Sequence, residues 1–185
     1  MTTPSSSVRP PAPTVRPATA DDAAAIATVR TRGWQSGYAG IMPAAVLDAL
    51  RPEVSPSLAH RLTNPRPDSP CLVAERDGAV VGFVTAGPYR IEQHPDVLDP
   101  SLGGEIYAIY VDPDHWRSGA GAALLPAAVD RLHAAGLAPV RLWVLTDNAR
   151  ARRFYESYGF APDGAHEPFT VSDGTRVDEL RYRLD

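Results

Sequence analysis

Two late stretches of this chain carry the residue types and spacings that could do chemistry. In the first, Gly119-Ala120-Gly121 opens a stretch of helical apolar spacing with Leu125, Ala128 and Leu132 on one face. Small residues at a helix start let a ligand approach the backbone. The unpaired first-turn amides and the helix dipole there favour an anion such as pyrophosphate. In the second, Asn148 precedes a stripe of Ala151, Phe154, Tyr155 and Tyr158 at i, i+3, i+4, i+7 spacing. Asn148 can cap that helix, and on periodicity alone Tyr155 belongs to its apolar face. A third feature is Glu105, a carboxylate at the head of the apolar run 105–111. Strand alternation puts Glu105, Tyr107 and Ile109 on one face.

Several other chemistries are excluded. A P-loop needs lysine, and all 18 basic residues of the 185 are arginine. A dinucleotide site could use Asp147 for a ribose, but Leu124 stands at the third glycine position and a hairpin precedes the unit. Cys71 is the sole cysteine, so no internal disulfide forms, and its run Cys71-Leu72-Val73-Ala74 reads as a small hydrophobe in a core. His60, His94, His115, His133 and His166 never fall at ligand spacing, so no metal site is expected. With a formal net charge of −4 the chain lacks the basic surface that binds nucleic acid. Its 44% apolar and 22% charged residues are those of a globular domain. The N-terminus has neither the charged start nor the apolar run of a signal peptide, and no segment is long and apolar enough to cross a membrane. A cytoplasmic protein is expected.

The elements that must position these residues follow from punctuation and period. Residues 1–13, mostly Ser, Thr and Pro, read as a flexible tail, and one domain is expected over 14–185. After a short strand at 14–16, Thr19 and Asp22 form a capping box ahead of Ala23, Ile26 and Val29. Arg30 limits the width of that apolar stripe, and a loop bearing Trp34, Gly37, Tyr38 and Gly40 is expected next. Two short helices, 44–50 and 58–62, precede strands at 71–75 and 79–84 joined through Asp77-Gly78, the strongest hairpin signal in the chain. A long connection, 89–104, separates them from the strand at 105–111. A helix at 119–135 with Pro126 inside, a strand at 140–145 and a helix at 149–158 closed by Gly159 follow. Two last strands, 169–171 and 177–182, flank Ser172-Asp173-Gly174. The order is that of an α/β domain with hairpins early and a strand–helix–strand unit late.

The stretch His115-Trp116-Arg117-Ser118-Gly119-Ala120-Gly121-Ala122 resembles the acetyl-CoA motif (R/Q)-x-x-G-x-(G/A) of the GNAT N-acetyltransferase superfamily. Asn148 through Ala151, Phe154, Tyr155, Gly159 and Phe160 resembles that family's N-x-x-A-x-x-F-Y-x-x-x-G-F motif. One departure is Trp116, where the family has Arg or Gln; Arg117 stands beside it. The resemblance covers residues 14–185. It implies a mixed, mostly antiparallel sheet of six or seven strands flanked by helices, splayed between 105–111 and 140–145. It also implies acetyl transfer from acetyl-CoA, as co-substrate and without metal, to a primary amine of a small molecule by direct attack in a ternary complex. Acetylation of protein N-termini or lysines, or a non-catalytic acyl-CoA sensor, are the alternatives, and a homodimer is compatible.

By the same resemblance, the backbone of Ile109 and Val111 pairs with the pantetheine arm, and Tyr110 between them belongs to the cofactor-binding strand. The amides of Arg117, Ser118, Gly119, Ala120, Gly121 and Ala122 hold the pyrophosphate, and Asn148 meets the pantetheine. Tyr155 is the acid for the departing thiolate and Glu105 the base. Arg150, Arg152 and Arg153 are within reach of the phosphates or form a solvated face. The acceptor site is expected from a loop bearing Trp34 and Tyr38 and from the 89–104 segment with Glu92, Asp96 and Asp99. Aromatic walls with carboxylates suit a cation.

Overall fold

The computed structural model describes residues 12–91 and 94–185; of the expected tail, residues 1–11 lie outside the described residues, as does Glu92. The strands are β1 (Thr14–Pro17), β2 (Cys71–Arg76), β3 (Ala79–Ile91), β4 (His94–Val111), β5 (Val140–Leu145), β6 (Ala161–Thr170) and β7 (Arg176–Leu184). They form one seven-stranded sheet in the order β1-β2-β3-β4-β5-β7-β6. Every neighbouring pair is antiparallel except β4 and β5, which run parallel and are joined by a helical crossover. At the β2–β3 turn, Asp77 (φ 52°) and Gly78 (φ 77°) both take the left-handed conformation that a two-residue hairpin demands.

Helices cover both faces. α4 (Ala120–Ala134) and α5 (Ala149–Ser157) bury Leu124, Leu125, Leu132 and Tyr155 against Leu142, Val144 and Tyr182 of the sheet. On the other face α1 (Ala23–Gly37) and α3 (Pro56–Thr63) pack Ile26, Val29 and Leu62 on Val73 and Phe83. α2 (Ala44–Ala49) adds a third cluster with Met42, Leu145 and Val171. The capping box holds: the backbone amide of Thr19 donates to the Asp22 carboxylate at 2.8 Å, and Arg16 pairs with that carboxylate at 2.7 Å. Pro126 lies inside α4 and withholds one helical amide. Cys71 packs beside the α1 cluster, and burial pushes its thiol up to about 11.

Four sequence expectations change. First, the segment bearing Trp34 and Gly37 is not a loop: α1 runs to Gly37, so Trp34 sits on a helix. Gly33, a weak helix former, is kept because a Cβ there would come within 3.0 Å of the Tyr110 ring. Second, 89–104 is not a connection. β3 and β4 continue their pairing through Tyr89↔Asp99 and Ile91↔His94, across register shifts that hide the two-residue period. Third, β6 begins at Ala161, because pairing with β7 overrides its two prolines and glycine. Fourth, Glu105, Tyr107 and Ile109 do not share a face. Thr85 pairs with Ala108 and Ala86 with Ile106, leaving Tyr107 as an unpaired extra residue. Beyond this bulge the alternation flips, so Ile109 and Val111 pack on the α4 side while Ala108 and Tyr110 face α1.

Candidate active site

The bulge at Tyr107 is also where the sheet opens. β4 and β5 pair only over Gly104↔Val140, Glu105↔Arg141 and Ile106↔Leu142, although both strands continue. A cavity of about 530 Å³ fills the opening, lined by Ile109, Tyr110, Val111, Gly119, Ala120, Gly121, Ala122, Asn148, Phe154 and Tyr155, among others. The amide of Asp112 donates to the Val81 carbonyl at 2.8 Å, so residue 112 faces β3. Alternation then turns the backbone groups of Val111 and Ile109 the other way, into the opening. The indole N–H of Trp116 donates to the Val111 carbonyl at 2.9 Å, and the Arg150 guanidinium lies 3.4 Å from the centre of the Trp116 ring. Trp116 thus does not copy an arginine or glutamine. It occupies one backbone acceptor at the mouth and anchors the loop.

That loop shapes the head of α4. Arg117 (φ 61°) and Gly119 (φ 94°) both take left-handed conformations, which turn successive amides to one side as an anion-binding concavity. The first helical bond runs from Ala123 N–H to the Gly119 carbonyl at 2.9 Å, so the first-turn amides of Ala120, Gly121 and Ala122 have no helical acceptor. At Gly119 an added Cβ would meet only Pro13, at 4.0 Å, so this glycine serves conformation rather than space. An open strand edge running into an amide-lined helix start fits an extended ligand that ends in a pyrophosphate.

Deeper in the opening, Tyr155 is 9% exposed, against Phe154 and Phe160. Burial pushes its hydroxyl above the usual 10, which keeps it protonated as a donor. The Asn148 side chain accepts from Ala151 N–H at 3.1 Å and caps α5 from the cavity wall. Of the three arginines on α5, only Arg150 reaches this cavity. Arg152 turns inward to the Tyr182 hydroxyl and the Thr146 carbonyl, each at 3.1 Å, and Arg153 is exposed.

A second cavity of about 480 Å³ adjoins the first, and the two share Tyr38, Tyr107, Tyr110, Trp143 and Glu179. Trp34, Met42, Arg90, Glu105, Glu167 and Phe169 complete much of its wall. The Tyr38 and Tyr110 hydroxyls bond each other at 2.8 Å, and burial raises both. Glu105 is 1% exposed, and its carboxylate receives the Arg90 backbone amide at 3.0 Å and the Arg90 guanidinium at 2.5 Å. The structure therefore brings Trp34, Tyr38 and Glu105 together as expected. It does not bring in Asp96 or Asp99, which lie on the β3–β4 extension and line neither cavity. Their place is taken by Glu167 and Glu179.

Sequence reasoning missed Glu179. In residues 176–184, Leu180, Tyr182 and Leu184 form an apolar face, so Glu179 and Arg181 read as the wet one. The sheet order buries β7 between β5 and β6, and its second face becomes a cavity wall. Burial pushes the Glu179 carboxyl up to about 7; Arg90 opposes this, and Glu105 and Glu167 reinforce it. Among the described residues no group of His, Cys, Asp or Glu is arranged to hold a metal ion, and no helix is long and apolar enough to cross a membrane.

A splayed sheet, an amide-lined helix start and a buried tyrosine between them define an acyl-CoA type of transferase site. Residues 34–160 match the model of the Acetyltransferase (GNAT) family. The N-acetyltransferase YuaI of Bacillus subtilis is 29% identical over 167 residues, 90% of each chain. Mycothiol acetyltransferase of Kocuria rhizophila is 40% identical over 89 residues, 48% of this chain and 28% of that one. The structure of yncA from Salmonella typhimurium, solved with its cofactor acetyl-CoA, shares the fold. Its TM-score is 0.69 at 24% identity, over 95% of this chain and 94% of that one. The chain belongs to the GNAT acetyltransferase family and is an acetyl-CoA-dependent N-acetyltransferase.

Proposed function

We propose that the protein moves the acetyl group of acetyl-CoA to the primary amine of a small molecule, with both substrates bound at once. The observation that carries this reading is the pair of adjoining cavities, one beside an anion-binding helix start and the other walled by aromatic rings and carboxylates. In the first, the backbone of Ile109 and Val111 pairs with the pantetheine arm. The amides of Arg117 and of Gly119 to Ala122 hold the pyrophosphate, while that of Ser118 is already given to the His115 carbonyl at 3.2 Å. In the second, Trp34 and Tyr38 face the cation of the acceptor. The relative named mycothiol acetyltransferase supports a small-molecule acceptor.

The chemistry follows from charge development. An ammonium must lose a proton before its lone pair can attack the thioester carbon, and Glu105 and Glu179 are two carboxylates in the acceptor-cavity wall. As the carbon–sulfur bond breaks, Tyr155 donates its hydroxyl proton to the thiolate. A CoA thiol is expected to titrate near a cysteine, about 8.5, and the burial that raises the phenol also disfavours a bare thiolate. Replacing Trp34 by leucine tests the acceptor assignment. It should raise the KM for the amine about five- to thirtyfold, the loss of one or two kcal/mol of cation–ring attraction, with the KM for acetyl-CoA unchanged. An unchanged amine KM would remove Trp34 from the acceptor site.

A further inference from the structure

We infer that Glu179 is the group that takes the proton from the incoming ammonium, and that Glu105 instead fixes Arg90 in the wall of the acceptor cavity. The inference rests on the amine-acetylation reading above. Three carboxylates border the acceptor cavity among the described residues, and their settings differ. Glu105 is sealed in and held by Arg90 through both the backbone amide and the guanidinium, so protonating it would leave the arginine's charge stranded. Glu167 borders only the acceptor cavity. Glu179 alone borders both cavities, where amine and thioester must meet. It stands opposite Leu145 of β5 and opposite Glu167 of β6 in the sheet ladders, and its carboxylate has no hydrogen-bond or ion-pair partner among the described residues.

The groups facing it are Arg90 on β3, Glu105, Tyr107 and Tyr110 on β4, Glu167 on β6 and Tyr38 at the end of α1. Of these only Arg90 favours the ionised carboxylate, and Glu105 already occupies Arg90. Two unpaired carboxylates directly across an antiparallel pair repel each other, and a positively charged amine between them relieves that repulsion. A carboxyl pushed up to about 7 is matched to proton transfer near neutral pH.

The step balances. R–NH3+ gives one proton to the Glu179 carboxylate, the free lone pair attacks the thioester carbon, and the carbon–sulfur bond breaks. The departing thiolate takes the Tyr155 proton, and the nitrogen sheds a second proton that restores the tyrosine. Glu179 returns its own proton to solvent, so one proton is released for each amide formed.

The test compares benzylamine, which must be deprotonated, with methoxyamine, which is already neutral at pH 7. For Glu179→Gln, kcat with benzylamine should fall about a hundred- to ten-thousandfold, while methoxyamine is acetylated within about threefold of the wild-type rate. The bend near pH 7 in the wild-type benzylamine profile should vanish. Glu105→Gln should keep a bend but move it to lower pH, because Glu105 no longer raises the Glu179 carboxyl and Arg90 is freed to favour its ionised form. Equal losses with both amines, or a bend near pH 7 that survives in Glu179→Gln, would overturn the assignment. If Glu179→Gln does not fold, the wild-type profiles decide: a bend near pH 7 with benzylamine and none with methoxyamine supports the role, and identical profiles refute it. Transfer to neither amine by wild-type protein that still binds acetyl-CoA would overturn the acceptor reading itself.

Discussion

Tyr155, the proposed acid for the departing thiolate, is nine-tenths buried, and that burial holds its hydroxyl in the protonated form. Replacing it with phenylalanine keeps the ring packing against Phe154 and Phe160 and removes only the donor. The expected outcome is a fall in kcat of roughly ten- to a thousandfold, with acetyl-CoA affinity unchanged in a binding titration. An unchanged kcat would take Tyr155 out of the reaction. Far from the site, Asp22 shows what a buried ion pair does for stability. Arg16 lowers its carboxyl from the usual 3.8 to about 2. The folded-state value is depressed, so the stabilisation is complete above 3.8 and is lost as the pH falls through 2. Asp22→Asn should cost about 1–3 kcal/mol in urea unfolding at pH 7, and the gap to wild type should narrow as the pH falls from 3.8 toward 2. Tyr155 and Asp22 were legible in the sequence, because each belongs to a local pattern of three to twelve residues. Glu179 was not, because its burial comes from β5 and β6 on either side of it, which no local pattern records.

Among the elements, the loop into α4 and the bulge in β4 do most to make the site. The loop was legible only in combination: two glycines at a helix start often serve as mere punctuation, and the Asn148–Phe160 pattern beside them lifts the signal. Gly119 at φ 94° holds the amides toward the cavity, and an alanine there is strained although it has room. Gly119→Ala should weaken acetyl-CoA binding by about tenfold, in line with a cost of 1–2 kcal/mol for the left-handed conformation, measured by calorimetry. The secondary structure should be intact. A wild-type dissociation constant would show that this turn does not shape the cofactor site. The bulge at Tyr107 was not legible, since an extra residue in one strand is defined only by its partner. It has two consequences: it flips the alternation of β4, and it coincides with the end of pairing between β4 and β5. The α1 boundary failed for a similar reason. Trp34 and Gly37 read as loop residues, yet Gly33 fits inside the helix because its missing Cβ makes room for Tyr110 of a distant strand.

At the scale of the molecule, the sheet acts as a frame that is continuous on one side and split on the other. β1 to β4 form an unbroken antiparallel block, β5 to β7 a second, and the two blocks meet over three parallel residue pairs. The helices pack on the split from opposite faces: α4 and α5 close the first cavity, while α1 and the turn after it bring Trp34, Tyr38 and Met42 to the second. Acetyl-CoA bound in that split should stabilise the whole fold, by about 2.7 kcal/mol at a hundred times its dissociation constant, or roughly 5–10 °C for a chain of this size. The central claim is that the two cavities form one reaction chamber. The measurement that tests it most directly follows CoA release and amide formation together, by thiol titration and mass spectrometry, with acetyl-CoA and a panel of primary amines that includes benzylamine. The account predicts equal amounts of CoA and acetylated amine, saturable in both substrates and reduced in Tyr155→Phe. Protein stabilised by acetyl-CoA that forms no acetylated amine across the panel, or releases CoA without it, would contradict the account.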